Sequence, residues 1–468
     1  MKERAVQTDR SLEIRRSQLL GVALFLCYAY FFYLGGNWNV ESRFAQIYAL
    51  AEHGTLVIDS YSSLPPGGGD AARFEGHYYS DKLIGPSLVA VPPYWGMRHL
   101  FSAIGVPPNV AVYFALRITN VITNAWPSAL FCGVLYLFLA QLGLSPRLRV
   151  WLTLAYGLGT LAFPYSTMLF GHQLAAVAIG LAFMLLWRQH DDWSPRRGLV
   201  AGALLGFAAM SDAMGLFVAG LLGCYGIWLA AREGGAASAV VRRVAPAAVL
   251  GLAVFSLQLI ANWSSFGNPF TFPHIYHAQE SFRLRHTAGL FGIHLPKLYP
   301  LYQLTVGPWR GLFYGSPVLL LALPGVFLLG RKWRAEAVAI AACYLAVLLI
   351  HSGYENWTTG SAYGPRYQIV ALPLLLFAVA PAAERWPFVF NTLAITSIAF
   401  TSIVTATTPL LREDLRNPLA NALAQFAAGK LLQGNLGTLF GLPGLLSLAP
   451  LLVIVGVMLL VLRRIRAD

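Results

Sequence analysis

The segment GHYYSDKLIGPSLVAVPPYW, residues 76–95, joins a polar and aromatic cluster directly to an apolar run. The pair Asp81–Lys82 stands at the boundary between the two parts, and three prolines follow it. A charge pair at the edge of an apolar run either ends a membrane helix or holds a ligand at the membrane boundary. The choice depends on the side of the membrane that carries this segment, and the rest of the chain indicates that side.

The composition is that of a membrane protein. Of 468 residues, 57% are hydrophobic and 11% are charged, and the mean hydropathy is +0.59. Soluble domains carry about 25% charged residues, so we predict an all-α polytopic membrane protein. The net charge of +13 is attributed to cytoplasmic arginines, and no nucleic-acid partner is predicted. The four cysteines fall in apolar runs without paired spacing, which predicts neither a disulfide framework nor a cysteine metal site.

Apolar runs that approach the length of a membrane-spanning helix occur about twelve times. They lie near 18–35, 110–142, 150–168, 170–187, 198–212, 214–231, 244–263, 312–330, 335–352, 367–382, 387–407 and 444–462. The further run 83–104 contains prolines and Arg98, which predicts a re-entrant or interfacial segment rather than a span. The first run follows a basic segment without a small-residue cleavage pattern, which indicates a retained helix.

Basic residues cluster in alternate connections, and the positive-inside rule assigns these connections to the cytoplasm. Both termini are then predicted to be cytoplasmic, in a bacterial inner membrane. The large connections fall on the opposite face, which would be periplasmic or exterior: 36–83, 264–311, 353–366 and 408–436. We therefore predict a single transmembrane domain over 1–468, without a separate soluble domain, that works on its outer face.

Two of the outer loops contain amphipathic segments. In the first loop, apolar residues follow helical spacing at Phe44, Ile47, Tyr48 and Ala51. Gly54 then supplies a C-terminal stop, so we expect a helix that lies in the membrane interface. A second interfacial helix is predicted in 408–436 from a stripe formed by Leu415, Leu419, Leu423 and Phe426.

Charged and aromatic residues near the outer face are the candidates for chemistry. Carboxylates suit a general base, cations suit a leaving phosphate, and aromatic rings suit sugar faces. The candidate bases are Asp59, Glu41 and Asp81. The candidate phosphate-binding cations are Lys82, Arg366 and Arg310. The candidates for contacting the sugar or the acceptor are Tyr78, Tyr79, His172, Trp357, Glu355 and Arg43.

The outer loop 264–311 also contains metal-ligand types. His274, His277 and Glu280 follow one another at three-residue spacing, but among proline and aromatic residues that match no familiar ligand framework. No metal site is therefore predicted.

Several segments resemble bacterial GT-C glycosyltransferases of the aminoarabinose-transferase and protein-O-mannosyltransferase group. The segment ESRFAQI, residues 41–47, resembles the acid-x-Arg-aromatic segment that opens their first outer loop. HYYSDKLIGPSL, residues 77–88, resembles the end of that loop, where a lysine followed by small residues and proline binds the phosphate of a lipid-linked sugar. WRGLFYGSPVLLLALPG at 309–325 and TTGSAYGPRYQIVALPLLL at 358–376 resemble further segments of the superfamily.

The resemblance implies a polyprenyl-phosphate-sugar donor, an outward-facing active site and an inverting transfer with a first-loop carboxylate as base. The family commonly has Asp-Glu where this chain has Val40-Glu41. The role of base therefore passes to Glu41 or Asp59 about equally, with Asp81 third. No cofactor is required and a divalent metal is optional. The acceptor would be a glycan, a lipid or a protein hydroxyl, and the sequence specifies neither the sugar nor the oligomeric state.

Two other classes of protein would also present outer loops and lipid access. A transporter or lipid flippase predicts internal symmetry and broken helices at the midplane, and the sequence shows neither. A ligase or polymerase of undecaprenyl-diphosphate glycans would also use outer arginines, and it is distinguished by its donor.

Overall fold

The computed structural model describes residues 2–32, 35–61, 69–432 and 434–464, without the side chains of 2–10, 459 and 461–464. Residues 62–68 of the predicted first outer loop, and Arg466 of the predicted cytoplasmic end, lie outside this part of the chain. The first half holds helices α1 Lys2–Tyr30, α2 Trp38–His53, α3 Gly85–Ala103, α4 Pro108–Asn120, α5 Trp126–Phe138, α6 Pro146–Gly159, α7 Ala162–Ser166, α8 Gly171–Arg188, α9 Pro195–Ser211 and α10 Ala213–Arg232.

The second half is also helical, with short 3₁₀ turns between the α-helices. It holds α11 Ala237–Phe266, α12 Glu280–Thr287, α13 Leu298–Thr305, α14 Leu312–Gly315, α15 Ala322–Gly330, α16 Arg334–Gly353, α17 Leu372–Arg385, α18 Pro387–Thr407, α19 Pro418–Ala427, α20 Leu436–Leu439 and α21 Ala449–Arg464. The strands are β1 Phe31–Phe32, β2 Ala71–Phe74, β3 His77–Ser80 and β4 Gly434–Asn435.

In the described residues, seven helices are long and apolar enough to cross a membrane. They are Pro108–Leu142, Gly171–Arg188, Ala213–Arg232, Ala237–Phe266, Arg334–Gly353, Arg366–Arg385 and Pro387–Thr407. The spans Gly171–Arg188 and Arg366–Arg385 are each 83% buried, so they form the centre of the bundle. The outermost, Ala237–Phe266, is 11% buried. The predicted class, a multi-pass helical membrane protein, is confirmed.

The predicted number of about twelve spans is not confirmed. Two shorter apolar helices, Pro317–Gly330 and Gly444–Met458, add to the seven long ones. The predicted run 150–168 is divided between α6 and α7. The predicted run 198–212 forms the 17-residue helix α9, which is not among the seven long ones. Helix α3, which covers most of 83–104, continues through Pro92 and Pro93. It is not one of the seven long apolar helices, which agrees with the prediction that this segment does not span the membrane.

The predicted first-loop helix is confirmed as α2. The side chain of Asn37 caps its N-terminus by accepting from the backbone of Asn39 and Val40, and Gly54 ends it with φ of 63°. Left-handed φ is a conformation that glycine adopts without strain. The helix buries both its apolar residues and its polar residues Glu41 and Arg43, because it packs between α3 and β3. The second predicted interfacial helix corresponds to α19.

A feature that the sequence analysis did not foresee is the antiparallel hairpin β2–β3. Ala71 pairs with Ser80, and Phe74 pairs with His77. The two-residue turn between the strands has positive φ at Glu75 and at Gly76, as tight hairpin turns require. The hairpin therefore brings the residue before β2 and the residues after β3 to the same end.

Candidate functional site

The open end of the β2–β3 hairpin assembles a buried charge cluster. Asp70 precedes β2, and Asp81 and Lys82 follow β3. Lys82 Nζ lies 2.8 Å from Asp70 Oδ2 and 3.0 Å from Asp81 Oδ1. The pairing of the strands thus explains how two carboxylates eleven positions apart share one ammonium group. The serine that ends β3, Ser80, is held by a 2.8 Å hydrogen bond to Ser42 of α2.

A histidine-rich segment docks alongside β2. The backbone N–H of Ala278 donates to Ala71 at 2.8 Å, and His277 forms a β-bridge with Ala72. His274 Nε2 lies 3.5 Å from Asp81 Oδ2, and His277 Nε2 lies 3.9 Å from the same oxygen. These contacts form an imidazole wall beside the carboxylates.

The ionisation of this cluster follows from burial and from Lys82. Burial would raise the pKa of Asp70, but the charges of Lys82, Arg366 and His277 and the hydrogen bond from Lys82 together outweigh it, and the pKa lies below its usual value. Burial raises the pKa of Asp81, which is almost fully enclosed. Burial, helped by the positive charge of Lys82, holds the pKa of His274 well below its usual value. The imidazoles are therefore neutral near pH 7.

The second cation of the site is Arg366, at the start of the span Arg366–Arg385. Gly364, with φ of 66°, and Pro365 turn the chain into this position. The guanidinium carbon lies 5.5 Å from the Phe170 ring centroid and 5.7 Å from that of Tyr367. Arg366 is 9% exposed, and its Nε has no hydrogen-bond partner. Within the described residues, no carboxylate lies in ion-pair distance of Arg366.

Asp70, Asp81, Lys82 and Arg366 line a cavity of about 240 Å³, which we call the polar cavity. Its wall also includes polar groups from four regions: Asn37, Asn39, His274, His277, His286, Asn356, Thr359, Ser361 and Glu413. The carboxylate of Glu413 accepts a hydrogen bond from Thr358 Oγ1.

A larger cavity of about 690 Å³, which we call the second cavity, adjoins the polar cavity. Gly36 and Trp38 line both. Glu41 lines the second cavity, where its Oε2 accepts a 2.9 Å hydrogen bond from the Tyr61 hydroxyl. The Gly36–Trp38 segment therefore separates the polar cavity, where Lys82 and Arg366 stand among carboxylates, from the second cavity, which carries Glu41.

The three candidate bases occupy different environments. Glu41 is buried on the second cavity, and Asp81 is buried on the polar cavity. Asp59 is 40% exposed and is held by His77 Nδ1 at 2.7 Å and by the backbone N–H of Tyr78 at 2.7 Å. Asp59 lines neither cavity within the described part of the chain.

Of the three candidate phosphate-binding cations, Lys82 and Arg366 line the polar cavity and Arg310 does not. Arg310 is 1% exposed, and its guanidinium donates to the carbonyls of Thr358, Gly360 and Ala362. Burial lowers its pKa to about 10. These bonds hold a turn with positive φ at Thr359 and Gly360, which forms one wall of the polar cavity. Arg310 thus holds one wall of the polar cavity in place without lining the cavity itself.

Four predicted sugar contacts line neither cavity among the described residues. Tyr79 packs on Phe266, with ring centroids 5.4 Å apart. The guanidinium carbon of Arg73 lies 5.8 Å from the ring centroid of Tyr78. The remaining two are in the loop 353–366: Trp357 packs on Trp309 at 5.0 Å, and Glu355 pairs with Lys297 at 2.9 Å.

His172 and Arg43 lie behind the polar cavity. His172, at the start of α8, pairs through Nδ1 with Asp212, which also caps α10. The His172 ring lies 5.4 Å from the ring of Tyr367, a residue of the cavity wall. Arg43 is 4% exposed and donates to the carbonyl of Leu83 at 3.4 Å. Burial lowers the pKa of Arg43 to about 10.

Three residues of the polar cavity could also hold a metal ion. Potential ligand atoms of Asp70, Asp81 and His277 all lie within 4.8 Å of one another. Lys82 already neutralises part of the carboxylate charge, so a cation would compete with its ammonium group. Of the histidine-loop residues considered from sequence, Glu280 is 76% exposed and faces Arg283. Asp70 is the member of the cluster that the sequence analysis did not single out.

No family model matches this chain, and no curated protein matches it either. Among solved structures, it is similar to ArnT from Cupriavidus metallidurans bound to undecaprenyl phosphate. The TM-score is 0.53 at 16% identity, over 95% of this chain and 71% of that one. For ArnT in the apo state, the TM-score is 0.51 at 16% identity, over 98% of this chain and 73% of that one.

An oligosaccharyltransferase from Archaeoglobus fulgidus in the apo form gives a TM-score of 0.44 at 11% identity, over 91% of this chain and 56% of that one. The resemblance predicted from the sequence is confirmed by the two ArnT structures at the level of the fold. This chain thus shares the fold of ArnT over nearly its whole length.

Proposed function

We propose that this protein is a membrane glycosyltransferase that moves a sugar from a polyprenyl-phosphate donor to an acceptor hydroxyl at its outer face. The observation that carries the proposal is the buried guanidinium of Arg366, which faces the polar cavity beside Lys82 and has no ion-pair partner among the described residues. A buried charge without a partner is costly, and a phosphate in the cavity would supply that partner.

The surroundings of Arg366 strengthen the need for an anion. Its positive charge acts against those of Arg43, Lys82 and Arg310, which all lie close enough for repulsion, and it is attracted by Asp70, which is not in contact with it. Lys82 is compensated by two carboxylates, whereas Arg366 stands between aromatic rings. A phosphate that bridges Lys82 and Arg366 gains two charge-assisted contacts and relieves this repulsion. The GT-C fold, shared with an ArnT structure that contains undecaprenyl phosphate, supports the same donor class.

The arrangement of the two cavities supports an inverting transfer with Glu41 as base. In such a transfer, the acceptor attacks the anomeric carbon on the face opposite the phosphate. A phosphate in the polar cavity and a sugar at the Gly36–Trp38 boundary would direct that opposite face toward the second cavity and Glu41. Asp70 and Asp81 lie on the phosphate side and are engaged by Lys82. Asp59 lies outside both cavities, and we therefore favour Glu41.

The proposed reaction balances without a redox partner. The Glu41 carboxylate takes the proton of the acceptor hydroxyl, and the oxygen lone pair forms the new bond to the anomeric carbon. The bond between that carbon and the phosphate oxygen breaks, and its electron pair leaves with the polyprenyl phosphate. Lys82 and Arg366 stabilise the charge that develops on the leaving phosphate.

The test uses full-length protein in proteoliposomes with a radiolabelled polyprenyl-phosphate sugar and a membrane glycolipid extract as the source of acceptor. We expect label in a new product with wild type, and loss of transfer in Arg366→Gln and Lys82→Met. Arg412→Gln is the matched control, because Arg412 is 85% exposed. Label that crosses the bilayer still attached to its lipid, without a new product, would instead indicate a flippase and contradict the proposal.

A further inference from the structure

The second cavity is large enough for a substrate of its own. Its volume of about 690 Å³ lies in the range of about 300–1,000 Å³ that small-molecule sites occupy. It meets the polar cavity only along the shared wall residues Gly36 and Trp38, as far as the described residues show. A donor phosphate held by Lys82 and Arg366 leaves this compartment free for another molecule.

The charges that line the second cavity balance. Two glutamates, Glu41 and Glu52, face two arginines, Arg98 and Arg117. Arg98 Nε lies 3.4 Å from Glu52 Oε1, and the Arg117 guanidinium lies over the ring of Tyr113 at 3.3 Å. The undescribed neighbours in sequence, 33–34 and 62–68, contain no charged residue. An anionic ligand would therefore have to displace existing contacts.

The rest of the wall combines four aromatic rings with the polar residues Ser60 and Asn109 and the apolar residues Pro108, Val112 and Leu116. Trp38, Tyr48, Tyr61 and Tyr113 line the cavity, and such rings pack against the apolar faces of sugars. The Glu41 carboxylate, which already accepts from Tyr61, offers its second oxygen to a further hydroxyl. A neutral compartment with rings and carboxylates suits a polyol better than a phosphate or a fatty acyl chain.

We infer that the second cavity is the acceptor site and that the acceptor group it binds is an uncharged sugar. This inference rests on the proposed function, because the name "acceptor" depends on transfer. The reacting hydroxyl lies between Glu41 and the Gly36–Trp38 boundary, and its proton passes to Glu41 in the step described above. Aromatic packing against Trp38 and the tyrosines supplies the selectivity for a sugar ring.

The test measures binding without transfer. Full-length protein in nanodiscs is titrated with octyl β-D-maltoside below its micelle concentration, and separately with its 6′-phosphate. Val112→Trp fills the cavity from α4, since Val112 lines it. Phe114→Trp is the matched control on the same helix, where Phe114 is 43% exposed on the outer surface of the bundle. Ser60→Trp, at an exposed position of the cavity wall, carries the test if Val112→Trp does not fold.

We expect the maltoside to bind wild type and Phe114→Trp equally, and to bind each cavity-filling variant at least about 10-fold more weakly. The 6′-phosphate should bind wild type more weakly than the neutral maltoside. Unchanged maltoside affinity in both cavity-filling variants, or tighter binding of the phosphate, would overturn the inference. Undecaprenyl phosphate titrated into the same nanodiscs separates the two proposals. If it fails to bind while the maltoside binds as expected, the proposed function is wrong and the second cavity remains a sugar site.

Discussion

Replacing Arg366 with glutamine should weaken donor binding without destabilising the empty protein. The side chain is 9% exposed, has no ion pair within the described residues, and repels three neighbouring cations. A hydrogen bond to a charged group contributes about 1.5–3 kcal/mol, so the affinity for undecaprenyl phosphate should fall about 10-fold to 150-fold. The thermal stability of the lipid-free protein should stay at or above the wild-type value, because the substitution removes a buried charge that has no ion pair at contact distance among the described residues.

Lys82 provides the contrast that makes this prediction specific. Its ammonium group lies within 3.0 Å of the buried carboxylate of Asp81 and the half-buried carboxylate of Asp70, and removing one partner of a buried ion pair costs about 3–5 kcal/mol. Lys82→Met should therefore lower both the affinity and the stability. Affinity is measured by titrating undecaprenyl phosphate into nanodiscs, and stability by the thermal unfolding of lipid-free protein, with Arg412→Gln as control.

Either of two results would contradict the role of Arg366 in holding the phosphate. The first is wild-type affinity for undecaprenyl phosphate in Arg366→Gln. The second is a loss of stability in Arg366→Gln as large as that in Lys82→Met, which would mean that Arg366 has a structural partner.

Three further predictions concern the base, the cavity wall and the histidines. Glu41→Gln should slow sugar transfer by about 10²–10⁴-fold while the affinity for undecaprenyl phosphate stays within about twofold; equal rates would exclude Glu41 as the base. Arg310→Ala should lower the free energy of unfolding by about 3 kcal/mol, since its guanidinium donates to three carbonyls; an effect no larger than that of Arg412→Ala in thermal unfolding would contradict the wall-bracing role. Burial lowers the pKa of His286 to about 3. The buried neutral ring therefore makes its full contribution to the free energy of unfolding above pH 6.5. This contribution falls by about 1.4 kcal/mol per pH unit as the pH drops from 6.5 toward 3. His286→Gln should make unfolding less sensitive to acid over this range, and a wild-type slope would count against the buried neutral ring.

Local signals in the sequence were sufficient for the elements that periodicity and caps define. The spacing of Phe44 and Ile47, followed by Gly54, predicted α2 and its C-terminal end, and the structure confirms both. The lysine at the end of the first outer loop was singled out as a cation at the membrane boundary, and it does line a polar cavity. The fold shared with ArnT was predicted from short segments, and their order along the chain mattered more than any one of them.

Residues that meet through tertiary contacts could not be found in this way. Asp70 joins Asp81 and Lys82 because a hairpin pairs Ala71 with Ser80. The available signal was the Glu75–Gly76 dipeptide between short alternating segments, which favours a tight turn. A dipeptide of this kind does not by itself show which residues the turn brings together.

The role of Arg310 shows a different limit. An arginine beside glycines and aromatic residues in a loop has the same local pattern whether it binds a phosphate or backbone carbonyls. The structure directs its guanidinium to the turn 358–362, which lies about fifty positions away in the sequence. Asp59 illustrates the same point, since only the folded chain brings it to His77.

The most direct test of the central claim is mass spectrometry of the lipid that co-purifies with the full-length protein in mild detergent. We expect a polyprenyl monophosphate, free or carrying a single sugar, that is retained by wild type and by Arg412→Gln and lost in Arg366→Gln. A polyprenyl diphosphate carrying an oligosaccharide would indicate the ligase or polymerase class instead. Equal retention of the monophosphate by Arg366→Gln would contradict the assignment of the polar cavity as the donor phosphate site.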